Sequence, residues 1–158
     1  MNDKDELYMR RVLELAELGK GKVAPNPMVG CVIVKDDQII GEGWHQEYGK
    51  AHAEREAVDS VQDQEEIAGS TVYVNLEPCS HFGKTPPCSD LLIRHRVKRV
   101  VVSNIDPNPL VDGGGIRRMQ KAGIIVDVGI LQQEGEQLNR SFFYHMQTKQ
   151  KSQSVTSS

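Results

Sequence analysis

The chain has 158 residues, of which 38% are hydrophobic and 26% charged, and its 19 basic and 22 acidic side chains give a formal net charge of −3. This length and composition fit one globular domain and exclude a disordered or collagen-like chain. The weakly acidic balance argues against a protein that binds the nucleic-acid backbone. No run of 18 apolar residues is present, which argues against a membrane span. We therefore expect neither a nucleic-acid partner nor a membrane association.

The N-terminal segment and the cysteines indicate the cellular compartment. Residues 1–11 carry charges of both signs and lack the apolar segment of a secretory signal. The cysteines are odd in number: Cys31, Cys79 and Cys88. In a chain without an export signal, cysteines more often bind metal or act in catalysis than form disulfides. We expect a cytoplasmic protein in which Cys31, inside the apolar run GCVIV, is a core residue and the other two cysteines carry chemistry.

Helices and strands are predicted over most of the chain. Apolar side chains three and four residues apart predict a helix over residues 5–19, and two strands joined by a short turn follow. Those strands cover residues 28–35 and 38–44. Helices are then predicted at 52–61, 88–95, 113–122 and 131–145, and strands at 71–76, 97–103 and 124–128. Strands joined by a short turn are antiparallel and strands joined by helices are parallel, so the sequence predicts an α/β domain with a mixed sheet.

The C-terminal residues differ in composition from the rest of the chain. Gln147–Ser158 contains one apolar residue and four serines. Such a segment cannot bury enough apolar surface to offset the entropy of ordering it. We expect a single domain over residues 1–146 and a frayed polar C-terminal tail over 147–158.

Three short segments contain the residues that suggest chemistry. They are His52-Ala53-Glu54, a Pro-Cys pair that ends at Cys79, and a Pro-Pro-Cys run that ends at Cys88. One histidine and two thiolates suit zinc, and three protein ligands leave a fourth position for water. His52 and Cys88 fall at predicted helix starts, where the helix dipole favours a thiolate. Glu54 is placed to take a proton from water and pass it to a leaving group.

These residues match the signature of zinc deaminases, a histidine and glutamate followed by paired cysteines. In the nucleic-acid deaminases two residues separate the cysteines, whereas eight lie between Cys79 and Cys88. This longer loop carries an imidazole, a cation and a hydroxyl at His81, Lys84 and Thr85. Such groups suit a polar, phosphorylated substrate.

Five segments together carry a family resemblance: NPMVG at Asn26–Gly30, Trp44-His45, HAE at His52–Glu54, EPCSHFGKTPPC at Glu77–Cys88 and DPNPLVDGGG at Asp106–Gly115. With them, residues from about 5 to 146 resemble the deaminase domain of the bifunctional riboflavin-biosynthesis deaminase–reductase. The resemblance implies a three-layered α/β/α cytidine-deaminase-like fold with a five-stranded mixed sheet.

The resemblance also implies an activity and a set of site residues. The activity is zinc-dependent hydrolytic deamination of 2,5-diamino-6-ribosylamino-4(3H)-pyrimidinone 5′-phosphate, which gives 5-amino-6-ribosylaminouracil 5′-phosphate and ammonia. His52, Cys79 and Cys88 match the family's Zn²⁺ ligands and Glu54 matches its proton shuttle. The positions expected around the small phosphorylated pyrimidine are Asn26, His45, His81, Lys84 and Thr85.

The C-terminus departs from that family, in which the chain continues into a reductase domain. Here the last predicted helix is followed by the polar tail, so no reductase domain is expected. The chain is then either a stand-alone deaminase served by a separate reductase or a part of a longer bifunctional enzyme. We also expect a homo-oligomer, a dimer or larger.

Two other functions are kept open. One is a deaminase of tRNA or of free nucleosides, which the long loop between the cysteines and the acidic balance disfavour. The other is a non-catalytic zinc-stabilised scaffold module, which needs a fourth protein ligand such as His81 and an idle Glu54. The loop over Asp106–Gly115 also has two interpretations, because its backbone N–H groups suit a phosphate but its prolines and glycines equally suit a plain turn.

Overall fold

A mixed sheet of five strands forms the centre of the fold in the computed structural model, which describes residues 3–80, 86–108 and 113–156. The strands are β1 (Gly30–Lys35), β2 (Gln38–Trp44), β3 (Thr71–Leu76), β4 (Arg99–Asn104) and β5 (Ile125–Val128). The helices are α1 (Asp3–Glu17), α2 (Ala53–Ser60), α3 (Cys88–Arg94), α4 (Gly114–Lys121), α5 (Gln132–Leu138) and α6 (Arg140–Thr156), and a short 3-10 helix covers Gln64–Ile67. The predicted α/β class and the five strands are confirmed.

The strand order is β2-β1-β3-β4-β5. β1 is antiparallel to both β2 and β3, whereas β3, β4 and β5 are parallel to one another. The turn between β1 and β2 is tight, with Asp36 and Asp37 both at positive φ, 51° and 62°. Positive φ at both central residues is typical of the hairpin turn whose twist matches that of the strands. The mixed sheet predicted from the connections is therefore confirmed.

Helices cover both faces of the sheet, because alternate strand residues supply each core. On one face Cys31, Val72 and Val100 pack with residues of α2, α3 and α4. On the other face Val32 and Tyr73 pack with Met9, Val12 and Leu15 of α1. The result is the predicted three-layered α/β/α arrangement. Cys31 is fully buried in it, and the prediction of a core cysteine is confirmed.

Two glycines let helices lie directly on the first two strands. A Cβ atom at Gly30 would collide with the carbonyl oxygen of Val12 on α1, and one at Gly43 with the backbone nitrogen of Ala57 on α2. A glycine is needed where backbone approaches this closely. Gly43 therefore allows α2 to pack closely against β2. This packing positions the start of α2, where His52 lies.

A partly buried ion-pair network ties the first helix to the sheet. The Arg99 guanidinium donates two hydrogen bonds to Asp5, at 2.9 and 2.8 Å, and one to Asp127 at 2.8 Å. The Tyr73 hydroxyl donates to the same Asp5 carboxylate at 2.6 Å. Arg99 begins β4, whereas Cys79 follows the end of the parallel strand β3. The network therefore lies at the end of the sheet where the parallel strands start, and the predicted metal ligands lie at the opposite end.

The last third of the chain departs from the sequence prediction. The single helix expected over 131–145 is broken into α5 and α6 at Asn139, whose backbone leaves the helical region with φ −108° and ψ 33°. The prediction of a frayed tail over Gln147–Ser158 was wrong as far as Thr156, since α6 continues to that residue. No glycine or proline interrupts 140–156, and its glutamines and lysines are good helix formers. The domain boundary at residue 146 stays a prediction.

In the part of the chain that the structure describes, each helix is too short or too polar to cross a membrane.

Candidate active site

The three predicted metal ligands come together at one end of the sheet. His52 is the N-cap residue of α2, Cys88 is the first residue of α3, and Cys79 lies three residues beyond β3. Nδ1 of His52 lies 3.4 Å from the sulfur of Cys88 and 3.9 Å from that of Cys79. The three ligand atoms all lie within 4.8 Å of one another, so the group could hold a metal ion.

A hydrogen bond joins the two cysteines. The backbone N–H of Cys88, in the first turn of α3, donates to the sulfur of Cys79 at 3.1 Å. The Cys88 thiol and the neighbouring His52 lower the pKa of Cys79 to about 4, and the same thiol–thiolate bond raises the pKa of Cys88. The bond to Cys79 raises the pKa of His52 to about 8. Cys79 is therefore the thiolate of the pair, in the form that binds a metal.

Glu54 lies beside this group as the second residue of α2. Its side chain is 4% exposed. Burial raises its pKa to about 7, although the nearby His52 acts in the opposite direction. A carboxyl group that titrates near neutrality can both accept and return a proton. The structure thus places a suitable acid–base group two residues from a potential metal ligand.

Asn26 and His45, both predicted as substrate contacts, contact each other. The Asn26 amide nitrogen Nδ2 lies 3.1 Å from His45 Nε2, and His45 Nδ1 lies 3.0 Å from the carbonyl oxygen of Ala51. Since a carbonyl only accepts, His45 donates from Nδ1 and its Nε2 accepts from Asn26. The His45 ring also meets the ring of His52 edge to face, with 5.8 Å between centroids. His45 is therefore a buried link between Asn26 and His52.

Glu77 is a buried site residue to which the sequence interpretation gave no role. Its Oε1 accepts from the backbone N–H groups of Asp106 and Gly113, at 3.2 and 2.9 Å. Its Oε2 accepts from Gly115 and Ile116, at 2.9 and 3.3 Å. Glu77 lies two residues before Cys79, so these bonds tie the loop of a candidate metal ligand to the start of α4 and, through Asp106, to the segment after β4. An acidic residue at a strand end and a later glycine-rich helix start were the available signal.

The same bonds bear on the loop over Asp106–Gly115. Its N–H groups at Gly113 and Gly115, which the sequence offered to a phosphate, instead donate to Glu77. Gly115 also lies so close to the Pro78 carbonyl oxygen that a Cβ atom would collide with it. The close approach of α4 to the loop of Cys79 therefore explains Gly115, and a positive φ of 84° explains Gly113.

Three of the predicted substrate contacts lie outside the described residues. They are His81, Lys84 and Thr85, all between Cys79 and Cys88.

Comparisons with known proteins agree with this geometry. A family model described as the cytidine and deoxycytidylate deaminase zinc-binding region matches residues 2–104. A relative from Buchnera aphidicola subsp. Acyrthosiphon pisum, named diaminohydroxyphosphoribosylamino-pyrimidine deaminase, is 53% identical over 144 residues, which are 91% of this chain and 97% of the relative. The chain belongs to the family of zinc-binding cytidine and deoxycytidylate deaminases.

Longer proteins contain a similar domain. Riboflavin biosynthesis protein RibD of Escherichia coli is 53% identical over 145 residues, which are 92% of this chain and 39% of RibD. The solved structure of a Thermotoga maritima diaminohydroxyphosphoribosylaminopyrimidine deaminase/5-amino-6-(5-phosphoribosylamino)uracil reductase is 46% identical, with a TM-score of 0.88 over 92% of this chain and 42% of that one. The chain thus spans about two fifths of these bifunctional relatives. The predicted resemblance and the cytidine-deaminase-like fold are confirmed.

Proposed function

We propose that this chain is a zinc-dependent deaminase that hydrolyses the 2-amino group of 2,5-diamino-6-ribosylamino-4(3H)-pyrimidinone 5′-phosphate. The products are 5-amino-6-ribosylaminouracil 5′-phosphate and ammonia. The observation that carries the proposal is the convergence of His52, Cys79 and Cys88 within 4.8 Å. The identity of 53% to a relative named for this deamination supports the choice of substrate.

The donor set favours zinc as the metal. One imidazole and two thiolate sulfurs are ligands that zinc prefers, and they leave a fourth position open. When bound, the metal would lower the pKa of a water molecule and so supply the hydroxide that attacks the ring carbon. His52, Cys79 and Cys88 would hold it, with the backbone bond from Cys88 to Cys79 keeping that thiolate in place.

Glu54 would carry the protons of the reaction. Its carboxylate accepts a proton from the attacking water, and the resulting acid donates to the departing amine. Its pKa of about 7 suits both halves of this transfer, because neither the acid nor the carboxylate form is strongly favoured near neutrality. The overall change replaces one C–NH₂ group by C=O and consumes one water.

The remaining side chains would bind and orient the substrate. We propose that Asn26 contacts the pyrimidine edge, since an amide offers both a donor and an acceptor. His45 would orient Asn26, because both of its ring nitrogens are already hydrogen-bonded within the protein. His81, Lys84 and Thr85 are proposed as contacts of the polar substituents and the phosphate, on the basis of their residue types alone. The homo-oligomer, the separate reductase and the cytoplasmic location stay predictions.

Ammonia release from three substrates tests the proposal. The zinc-loaded protein is assayed with the diaminopyrimidinone phosphate, with cytidine, and with adenosine-containing RNA. We expect turnover of the first, which stops on chelation and returns with Zn²⁺. Turnover of cytidine or RNA instead would establish the nucleoside or tRNA alternative. No turnover of any of them, with one tightly held zinc per chain, would favour the scaffold alternative.

A further inference from the structure

Two buried asparagine side chains hold the chain segment that follows Asn26. Asn139 accepts from the backbone N–H of Met28 at 2.8 Å and donates to the carbonyl oxygen of Met28 at 2.8 Å. Asn75 donates to the same carbonyl oxygen at 3.0 Å and accepts from the N–H of Gly30 at 2.9 Å. The Asn139 amide thus satisfies both backbone groups of one residue, as a neighbouring strand would.

These bonds explain where the first strand begins. The apolar pattern predicted a strand from residue 28, but β1 begins at Gly30. Met28 directs its backbone groups to Asn139, which lies 111 residues further along the chain. Asn139 is 5% exposed and lies at the break between α5 and α6. A buried amide in that position holds its orientation because both of its polar ends are bonded.

The held segment leads directly to the candidate site. Asn26 lies two residues before Met28 and donates to His45 Nε2 at 3.1 Å. The backbone N–H of His45 donates to the carbonyl oxygen of Val29 at 2.9 Å, which ties the other side of the segment to the same histidine. A displacement of Met28 would therefore move Asn26 relative to His45. Asn139 makes these bonds to Met28, two residues from Asn26, and not to a candidate metal ligand.

We propose that Asn139 is a positioning residue for substrate binding, acting through Met28 on Asn26. The inference rests on the proposed function, since it assumes that Asn26 contacts the substrate. It assigns a role to the α5–α6 break, which lies outside the residues 2–104 that the deaminase family model matches. Loss of the Asn139 bonds should raise KM and leave the metal site and the proton transfers of Glu54 in place.

Two variants of Asn139 and one matched control test this role. Asn139→Leu removes both bonds at nearly constant volume, and Asn139→Asp keeps an acceptor for the Met28 N–H but removes the donor to its carbonyl oxygen. Ser103→Ala is the control, because the buried Ser103 hydroxyl donates to the Leu131 carbonyl oxygen at 3.0 Å and ties the start of α5 to β4 without touching Met28.

We expect Asn139→Leu to raise KM by up to about tenfold, the effect of the one hydrogen bond that a displaced Asn26 would lose to the substrate, with kcat and one zinc per chain retained. Asn139→Asp should also raise KM, and it provides the test if the leucine variant does not fold. Ser103→Ala should lower the melting temperature and leave KM unchanged. A parallel fall of kcat and zinc content in the Asn139 variants, or an unchanged KM, would overturn the proposal.

A second measurement separates this inference from the proposed function. Nitrogen-15 NMR of the zinc-loaded protein reports the Asn26 side-chain amide and the two ring nitrogens of His45. We expect the Asn139 variants to shift the signals of Asn26 Nδ2 and His45 Nε2, and Ser103→Ala to leave them in place. If the wild type releases no ammonia, the proposed function fails, whereas unshifted signals in the Asn139 variants overturn the positioning role itself.

Discussion

The backbone N–H of Cys88 donates to the sulfur of Cys79 at 3.1 Å, so the two cysteines are held together by α3 before any metal binds. The N–H belongs to the first turn of that helix, where backbone donors have no partner within the helix. The same helix therefore supplies one ligand through a side chain and stabilises another through its backbone. This arrangement keeps Cys79 as a thiolate beside the Cys88 thiol, which would lose its proton on binding a metal.

The cysteines of the metal-free protein should differ in reactivity. With a pKa of about 4, Cys79 is a thiolate throughout neutral pH, so its alkylation rate should change little between about pH 6 and 8. An ordinary thiol, with a pKa of about 8.5, speeds up over that range as the thiolate forms. The pKa of Cys31 is raised by burial and that of Cys88 by its bond to Cys79, so both should react slowly.

Iodoacetamide labelling with peptide mass spectrometry measures all three rates in one sample. Adding Zn²⁺ should protect Cys79. Equal labelling of the three cysteines, or no protection of Cys79 by the metal, would contradict the assignment of Cys79 as the reactive ligand.

Glu54→Gln should abolish most of the turnover without releasing the metal. Glutamine keeps the shape of the side chain but cannot accept a proton from water, and general acid–base catalysis contributes about 10²- to 10⁴-fold. We expect kcat to fall by about that factor with zinc content unchanged. Glu56→Gln, two residues later on α2, is the matched control and should keep wild-type kcat. Wild-type turnover by Glu54→Gln would exclude Glu54 from the proton transfers.

The group of His52, Cys79 and Cys88, which could hold a metal, was predictable from sequence because residue type and position at a helix start or strand end indicate it. His52 and Cys88 stand at helix starts that the apolar pattern and Pro86-Pro87 indicate. Glu77 and Asn139 could not be assigned roles in this way. Their partners are backbone groups 29 to 39 residues away for Glu77 and 111 residues away for Asn139, and backbone groups leave no mark in the side-chain pattern.

Local propensity also misjudged the C-terminal region. The apolar pattern runs across Asn139 without interruption, yet the bonds of its side chain to Met28 separate α5 from α6. In the other direction, a polar composition predicted a frayed end for residues that continue α6 to Thr156. In both cases the pattern of apolar and polar residues predicts which side chains are buried. It does not predict which hydrogen bonds the backbone makes.

Glu77→Gln should lower the free energy of unfolding, because Glu77 holds the loop of Cys79 in place. The carboxylate accepts four backbone N–H bonds, two on each oxygen. A glutamine presents one oxygen and one NH₂ group, so two backbone donors lose their acceptor and face another donor. An unsatisfied buried donor costs about 1–3 kcal/mol. We expect the free energy of unfolding of the zinc-loaded protein to fall by at least about that amount, as measured by urea denaturation.

The exposed Glu65 of the 3-10 helix supplies the control for that variant. Glu65→Gln changes the same charge at a side chain that is exposed, and it should leave the free energy of unfolding within about 0.5 kcal/mol of wild type. If Glu77→Gln were as stable as Glu65→Gln, the four bonds to Glu77 would not hold the loop.

Lys84→Ala should weaken substrate binding and leave the metal in place. Lys84 lies four residues before Cys88 in the sequence, between the two cysteines proposed to bind the metal. Its ammonium group is a point charge on a flexible stem, which suits a phosphate or a polar ring substituent. We expect KM for the phosphorylated substrate to rise by the equivalent of about 1.5–3 kcal/mol, as for a hydrogen bond to a charged group. Zinc content and kcat should stay close to wild type.

The dephosphorylated substrate shows which group Lys84 binds. If the phosphate is its partner, Lys84→Ala should change KM for the dephosphorylated compound far less than KM for the phosphorylated one. The dephosphorylated compound has no phosphate for Lys84 to bind, so removing the lysine costs it no contact. Equal increases with both compounds would place the contact at the pyrimidine ring. Lys50→Ala, at an exposed position before α2, removes the same charge outside this loop and should leave both KM values unchanged. If Lys84→Ala changed KM for neither compound, Lys84 would not contact the substrate.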